Sequence, residues 1–210
     1  MSEYVTLQNE NSDFFIEKKS RFIGYAKPVK TEDEALTFIT EIKKKHYDAT
    51  HNVYAYILRE SGLMRFSDDG EPQGTAGIPV LEAMKKAEVT DAVIVATRYF
   101  GGTLLGGGGL IRAYSHTASI AMKAAEKIRM KECLLLSIQC DYTLYGRLNS
   151  LVPECMGWID DTLFLENVEI KFHIEPENLP LLQQKIADNS GGQAHIEQQG
   201  KKYFPFLVAE

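Results

Sequence analysis

The chain has 210 residues, 44% hydrophobic, 25% charged and 10% aromatic. That is ordinary globular usage, which excludes collagen-like and disordered classes, and no apolar run approaches the roughly 20 residues of a membrane span. The net charge of −6 divides unevenly: residues 1–130 hold 17 basic and 17 acidic side chains, whereas residues 131–210 hold 6 and 12. A bulk electrostatic coat on nucleic acid needs a basic protein, so any RNA contact must be a local patch, and the asymmetry suggests two units, 1–130 and 131–210.

Phe14 to Val29 reads as strand material broken by a polar run. Thr31 with Glu34 forms a capping box, and Ala35, Phe38, Ile39 and Ile42 follow at helical spacing, which predicts a helix over 32–46. A β-rich run predicts a strand over 51–59. Ser67 to Pro72 is dense turn chemistry. Pro79 suits the first turn of a helix ending near Ala87. Residues 92–97, continuously apolar and β-branched, predict a buried strand. After a glycine-rich loop, the alanines of 110–126 predict a helix that packs closely.

The second half reads as a strand (132–142), a helix (143–156) ended by Gly157 as a C′ glycine, and strands at 158–165 and 168–174. A helix opened by Pro176 and ended by Gly191-Gly192 follows, then a strand at 193–203. The order is β-α-β-β-α-β, the ferredoxin-like pattern. The fold class expected is α+β. The N-terminal MSEYVTLQNENSDFF lacks the basic and apolar regions of a signal peptide. Three cysteines (Cys133, Cys140, Cys155) without C-x-x-C spacing point to a reducing compartment. A cytoplasmic protein with no membrane contact is therefore expected.

The segment from Arg98 to Arg112 concentrates the chemistry. Gly101, Gly102, Gly106, Gly107, Gly108 and Gly109 are six of the chain's 16 glycines. Between a buried strand and a helix N-terminus, such a run can turn N–H groups toward an anion. Arg98 and Arg112 can close on a phosphate, and Tyr99, Phe100 and Tyr114 offer surfaces for base stacking. Neither G-x-x-x-x-G-K-[ST] nor G-x-G-x-x-G is present. Close helix–sheet packing therefore stands beside anion binding as a reason for the glycines. Asp68, Asp69 and Glu71 form a second cluster, readable as a structural turn paired with the arginines, as a Mg²⁺ site, or as an acid–base pair. A triad can be assembled on paper from Ser67 or Ser115, a histidine and Asp69, but no nucleophile elbow supports it. His46, His51, His116, His173 and His195 have no ligand spacing, so neither metal nor cofactor is expected.

Several stretches resemble the YigZ/IMPACT family. They are Ser20-Arg21-Phe22-Ile23, the His51/Tyr54/Ala55 strand, Phe66 to Pro72 with Gly74-Thr75-Ala76-Gly77 and Pro79, and Arg98 to Gly102 with Leu105-Gly106 and Gly108-Gly109-Leu110. Their order is right, and together they span nearly the whole chain. The resemblance implies an N-terminal domain like domain IV of elongation factor G, in the left-handed βαβ superfamily, and a C-terminal ferredoxin-like domain like domain V of that factor. It implies a link to translation control through RNA or the ribosome. Eukaryotic members carry a further N-terminal partner-binding domain and restrain a kinase. This sequence enters the family motif near residue 18, so that module is not expected here. The resulting expectation is a non-enzymatic RNA- or ribosome-binding protein. Contact would run through the first domain, and the acidic second domain would contact a protein partner or keep the surface from binding nucleic acid indiscriminately. The alternative is an enzyme or binding protein that holds a phosphorylated small molecule in the glycine loop.

Overall fold

The computed structural model describes residues 3–207. Among these, the chain separates into two compact units, one made of residues 4–129 with Leu207, the other of 130–206 with Glu3.

After a first short strand, β1 (Glu3–Leu7), the N-terminal unit builds one antiparallel sheet. Its strands are β2 (Asn11–Glu17), β3 (Ser20–Pro28), β4 (His51–Leu58), β5 (Leu63–Ser67) and β6 (Ala92–Tyr99), in the order β2-β3-β6-β4-β5. The polar run at Lys18-Lys19 is a tight turn, so the expected broken strand is two strands. Both lysines have positive φ (45° and 66°), a backbone that usually draws Gly or Asn. β1 and β5 lacked a sequence signal: β5 is an edge strand with only its ends partly covered.

β6 alternates its side chains between two cores. Ala92, Ile94 and Ala96 face α2 (Gly77–Lys86) and α3 (Gly107–Ala124), while Val93 and Val95 face α1 (Glu32–Lys45). Burial on both faces explains its continuously apolar sequence. The capping box forms as expected: Thr31 Oγ1 accepts from the Glu34 N–H, and the Glu34 carboxylate accepts from the Thr31 N–H. α3 starts three residues before the expected Leu110, because Gly107, Gly108 and Gly109 are its first turn.

The C-terminal unit contains β7 (Lys127–Cys140), α4 (Tyr142–Glu154), β8 (Gly157–Phe164), β9 (Val168–Ile174), α5 (Leu179–Ser190) and β10 (His195–Leu207). β7 pairs with β9 and with β10, and β8 pairs with β9, which is the ferredoxin-like strand order. One cap differs from expectation. Met156, not Gly157, takes the left-handed conformation after α4 (φ 60°). Gly157 instead begins β8, where a Cβ would press on Val152. Pro176 opens a single 3₁₀ turn before α5 rather than α5 itself. No helix of the described residues is long and apolar enough to cross a membrane.

Candidate functional site

One end of the N-terminal sheet gathers the candidate residues. β6 ends there at Tyr99, β3 begins at Ser20, β4 begins at His51, and register sets His51 opposite Arg98. The 68–76 loop, the 100–106 loop and the N-terminus of α3 close over that end.

Arg98 does not face outward with Arg112, contrary to expectation. Its side chain is buried, and its Nη1 donates to Glu71 Oε1 at 2.6 Å. Nη2 reaches Ser20 Oγ at 3.4 Å. Tyr114 is not a stacking surface either. It is fully buried, and its hydroxyl donates to the same Glu71 oxygen at 2.7 Å. Burial, reinforced by the Glu71 charge and hydrogen bond, holds the Tyr114 phenol far above its ordinary pKa, so it remains a donor at any physiological pH. Glu71 Oε2 faces His51 Nε2 at 3.8 Å. His51 Nδ1 donates to the Asp69 carbonyl at 2.7 Å. Arg98, Glu71, Tyr114 and Ser20 thus form a buried polar knot that pins the loops. Removing Glu71 or Arg98 leaves a buried charge without its counter-ion.

The other two acids are also engaged within the fold. Asp68 accepts from the N–H groups of Gly74, Ala76 and Gly77 and so fixes the start of α2. Asp69 accepts from the Asn52 N–H and from Lys43 Nζ, each at 2.6 Å. The three carboxylates point apart, and among the described residues no three His, Cys, Asp or Glu side chains converge to hold a metal ion. Nor does a triad assemble. His51 meets the main chain of Asp69 rather than its carboxylate, and Ser67 Oγ accepts from the Asp69 N–H.

The glycines sort into two kinds. A Cβ at Gly101 would overlap the Lys19 carbonyl group, so this glycine lets the loop lie on the β2–β3 turn. Its N–H donates to Ser20 Oγ at 3.1 Å. Gly102 and Gly106 carry positive φ, 82° and 74°. Gly107 and Gly108 have neither reason: both are helical, and a Cβ at Gly107 would meet nothing within 4 Å. At Gly108 a Cβ would meet only the Arg112 guanidinium, at 3.6 Å. Glycine weakens a helix relative to alanine, so what these two supply is bare space before the helix. Gly106, the N-cap, has no side chain to satisfy the first turn. The first N–H to be taken up within the helix is that of Leu110, by the Gly106 carbonyl. The first-turn N–H groups point outward with the positive end of the helix dipole.

Two hollows flank this turn. One of about 420 Å³ is lined by His51, Glu71, Arg98, Phe100, Gly106 and Gly107. The other, about 230 Å³, is lined by Lys18, Gly109, Arg112 and His116 among others. Arg112, Lys18 and Lys19 are exposed. Of the expected stacking residues, Phe100 is half-exposed, with the Arg98 guanidinium 5.4 Å from its ring centre. The Tyr99 hydroxyl is tied to Asp48 and His46. Lys18 and Lys19 had only a weak signal in the sequence, a polar pair interrupting β-rich residues.

Comparison with known proteins agrees with this architecture. A family model described as "Impact N-terminal domain" matches residues 18–122, and one described as "Domain of unknown function (DUF1949)" matches residues 138–193. The chain is similar to "IMPACT family member YvyE" of Bacillus subtilis, 35% identical over 94% of this chain and 92% of that one. It is also similar to "IMPACT family member YigZ" of Escherichia coli, 31% identical over 85% and 89% of the two chains. A crystal structure described only as that of a hypothetical protein covers 93% of this chain and 97% of its own, at 29% identity and a TM-score of 0.59. This two-unit α+β chain belongs to the IMPACT family.

Proposed function

We propose that this protein binds RNA, free or on the ribosome, through the N-terminal unit, and that it modulates translation in the cytoplasm by that contact. The observation that carries the reading is the bare first turn of α3. Gly107 and Gly108 answer no conformational or packing need and are exposed, the Arg112 guanidinium lies beside Gly108, and Lys18, next to the exposed Lys19, lines the same hollow as Arg112. Main-chain donors at a helix N-terminus, ringed by cations, suit a phosphate. Phe100, half-exposed at the edge of the larger hollow, suits a base. Arg98, Glu71 and Asp68 hold the loops in place. In this reading the acidic C-terminal unit contacts a protein partner.

The test replaces Lys18, Lys19 and Arg112 with alanine and leaves the buried knot intact. RNA affinity at low salt should fall at least tenfold, and the salt slope should shrink by about 0.7 for each single-strand phosphate that is no longer neutralised. Unchanged affinity for both RNA and ribosomes would remove the reading. The hollow of about 420 Å³ favours a second reading, a phosphorylated small molecule with its phosphate on the same turn. A thermal-shift screen of nucleotides and sugar phosphates, with and without Mg²⁺, separates the two, because a bound ligand raises the melting temperature by mass action.

A further inference from the structure

The sheet face that carries α1 is covered only in part. α1 packs over Ile23, Tyr25, Tyr56, Val93 and Val95 on the three inner strands. It leaves β2 bare on that face, with Phe14 53% and Ile16 65% exposed. On the opposite face β2 is covered: Phe15 stacks on Phe22 and packs against the core. Register places Ile16, Arg21 and Tyr99 in one row across β2, β3 and β6. The Arg21 guanidinium lies 4.7 Å from the centre of the Phe14 ring. Beside this row His46 sits between the hydroxyls of Tyr25 and Tyr99, and Lys45 Nζ lies 4.8 Å from the centre of the Tyr25 ring. Arg21 and Lys45 therefore rest on rings, and Asp48 at the edge already accepts from the Tyr99 hydroxyl.

We propose that this strip, centred on Phe14 and Arg21, is a stacking platform for the bases of single-stranded RNA. The inference rests on the RNA reading above and goes beyond it by assigning a second contact away from the glycine turn. An exposed ring with a guanidinium plane against it stacks bases whatever their sequence. The cations match the phosphates that accompany those bases. A duplex hides its base faces and cannot use the strip. An apolar protein partner would cover Phe14 and Ile16 but would desolvate Arg21 and Lys45 without a counter-charge.

Fluorescence anisotropy of the full chain, with a short oligouridylate and its abasic counterpart, tests the assignment. Phe14→Ala should weaken oligouridylate binding about tenfold, the loss of one stacked base, and leave the abasic strand unaffected. Phe14→Tyr, which keeps the ring, should bind like the parent chain. Arg112→Ala should weaken both strands. Weaker binding with Arg112→Ala but none with Phe14→Ala overturns the platform alone. Equal weakening of both strands with Phe14→Ala also overturns it, because the abasic strand has nothing to stack. If the parent chain binds neither strand, the RNA reading falls and this inference falls with it.

Discussion

Replacing Glu71 with alanine would strike the buried knot at its centre. Glu71 accepts from Arg98 Nη1 at 2.6 Å and from the Tyr114 hydroxyl at 2.7 Å, and both donors are buried. Without the carboxylate, Arg98 becomes a buried cation lacking its counter-ion. Breaking one partner of such a pair costs about 3–5 kcal/mol, and the orphaned Tyr114 hydroxyl adds about 1 kcal/mol. At roughly 4 °C per kcal/mol for a unit of this size, the melting temperature falls by about 15–25 °C. Denaturation followed by far-UV circular dichroism reads the loss, and fluorescence of the single tryptophan, Trp158, reports the C-terminal unit separately. The companion variant, Glu71→Leu with Arg98→Met, removes both charges together. It should be more stable than either single change, because the cost of a lone buried charge disappears. A loss below about 1 kcal/mol in Glu71→Ala, or single-variant losses that simply add, would refute the claim that the knot holds these loops.

Gly101→Ala should destabilise by about 1–3 kcal/mol or more, since its Cβ overlaps the Lys19 carbonyl. Gly107→Ala should stabilise by about 0.4–1 kcal/mol, because its backbone is already helical and the space is open; the same methyl group should weaken RNA binding. Urea titrations paired with RNA titrations read both opposed signs. His46 has its pKa lowered, first by burial and then by Lys45. The unfolded chain therefore takes up this proton at a higher pH than the folded one. His46 should cost no stability above the ordinary histidine value near 6.5 and should lower stability as pH falls below it. A His46→Asn variant, compared between pH 7.5 and 5.5, should show a flatter profile.

How much of this was legible in the sequence depended on whether a signal was local. The capping box at Thr31 and the continuous apolar run of β6 state their own structure. They were readable because a helix cap and a strand buried on both faces each have a local signature. At Lys18-Lys19 the break between strands was readable as a polar run but the tight turn was not, because lysine pairs carry no turn chemistry. Nor was β5, an edge strand with only partial burial. The candidate site was legible in its parts but not in their roles. Arg98 and Arg112 bracket the same glycines in the sequence, yet one is buried against Glu71 and the other is exposed. Only the fold decides which, since Glu71 lies 27 residues from Arg98. Tyr114 looked like a stacking ring. Its spacing from Leu110 and Ala118, four residues on each side, does place it on the buried face of α3, a helical signal that the stacking reading passed over.

The bare turn at Gly107-Gly108 has a consequence for how its role would be found. A grip made of main-chain N–H groups has no side chain to delete, so an alanine scan that trims side chains passes over it. On the RNA reading only substitutions that add atoms would expose it, and these should leave the protein more stable while making it a poorer binder. Such a grip is also blind to base identity. Any preference among RNAs would come from the path of the strand and the spacing of its phosphates, not from its letters.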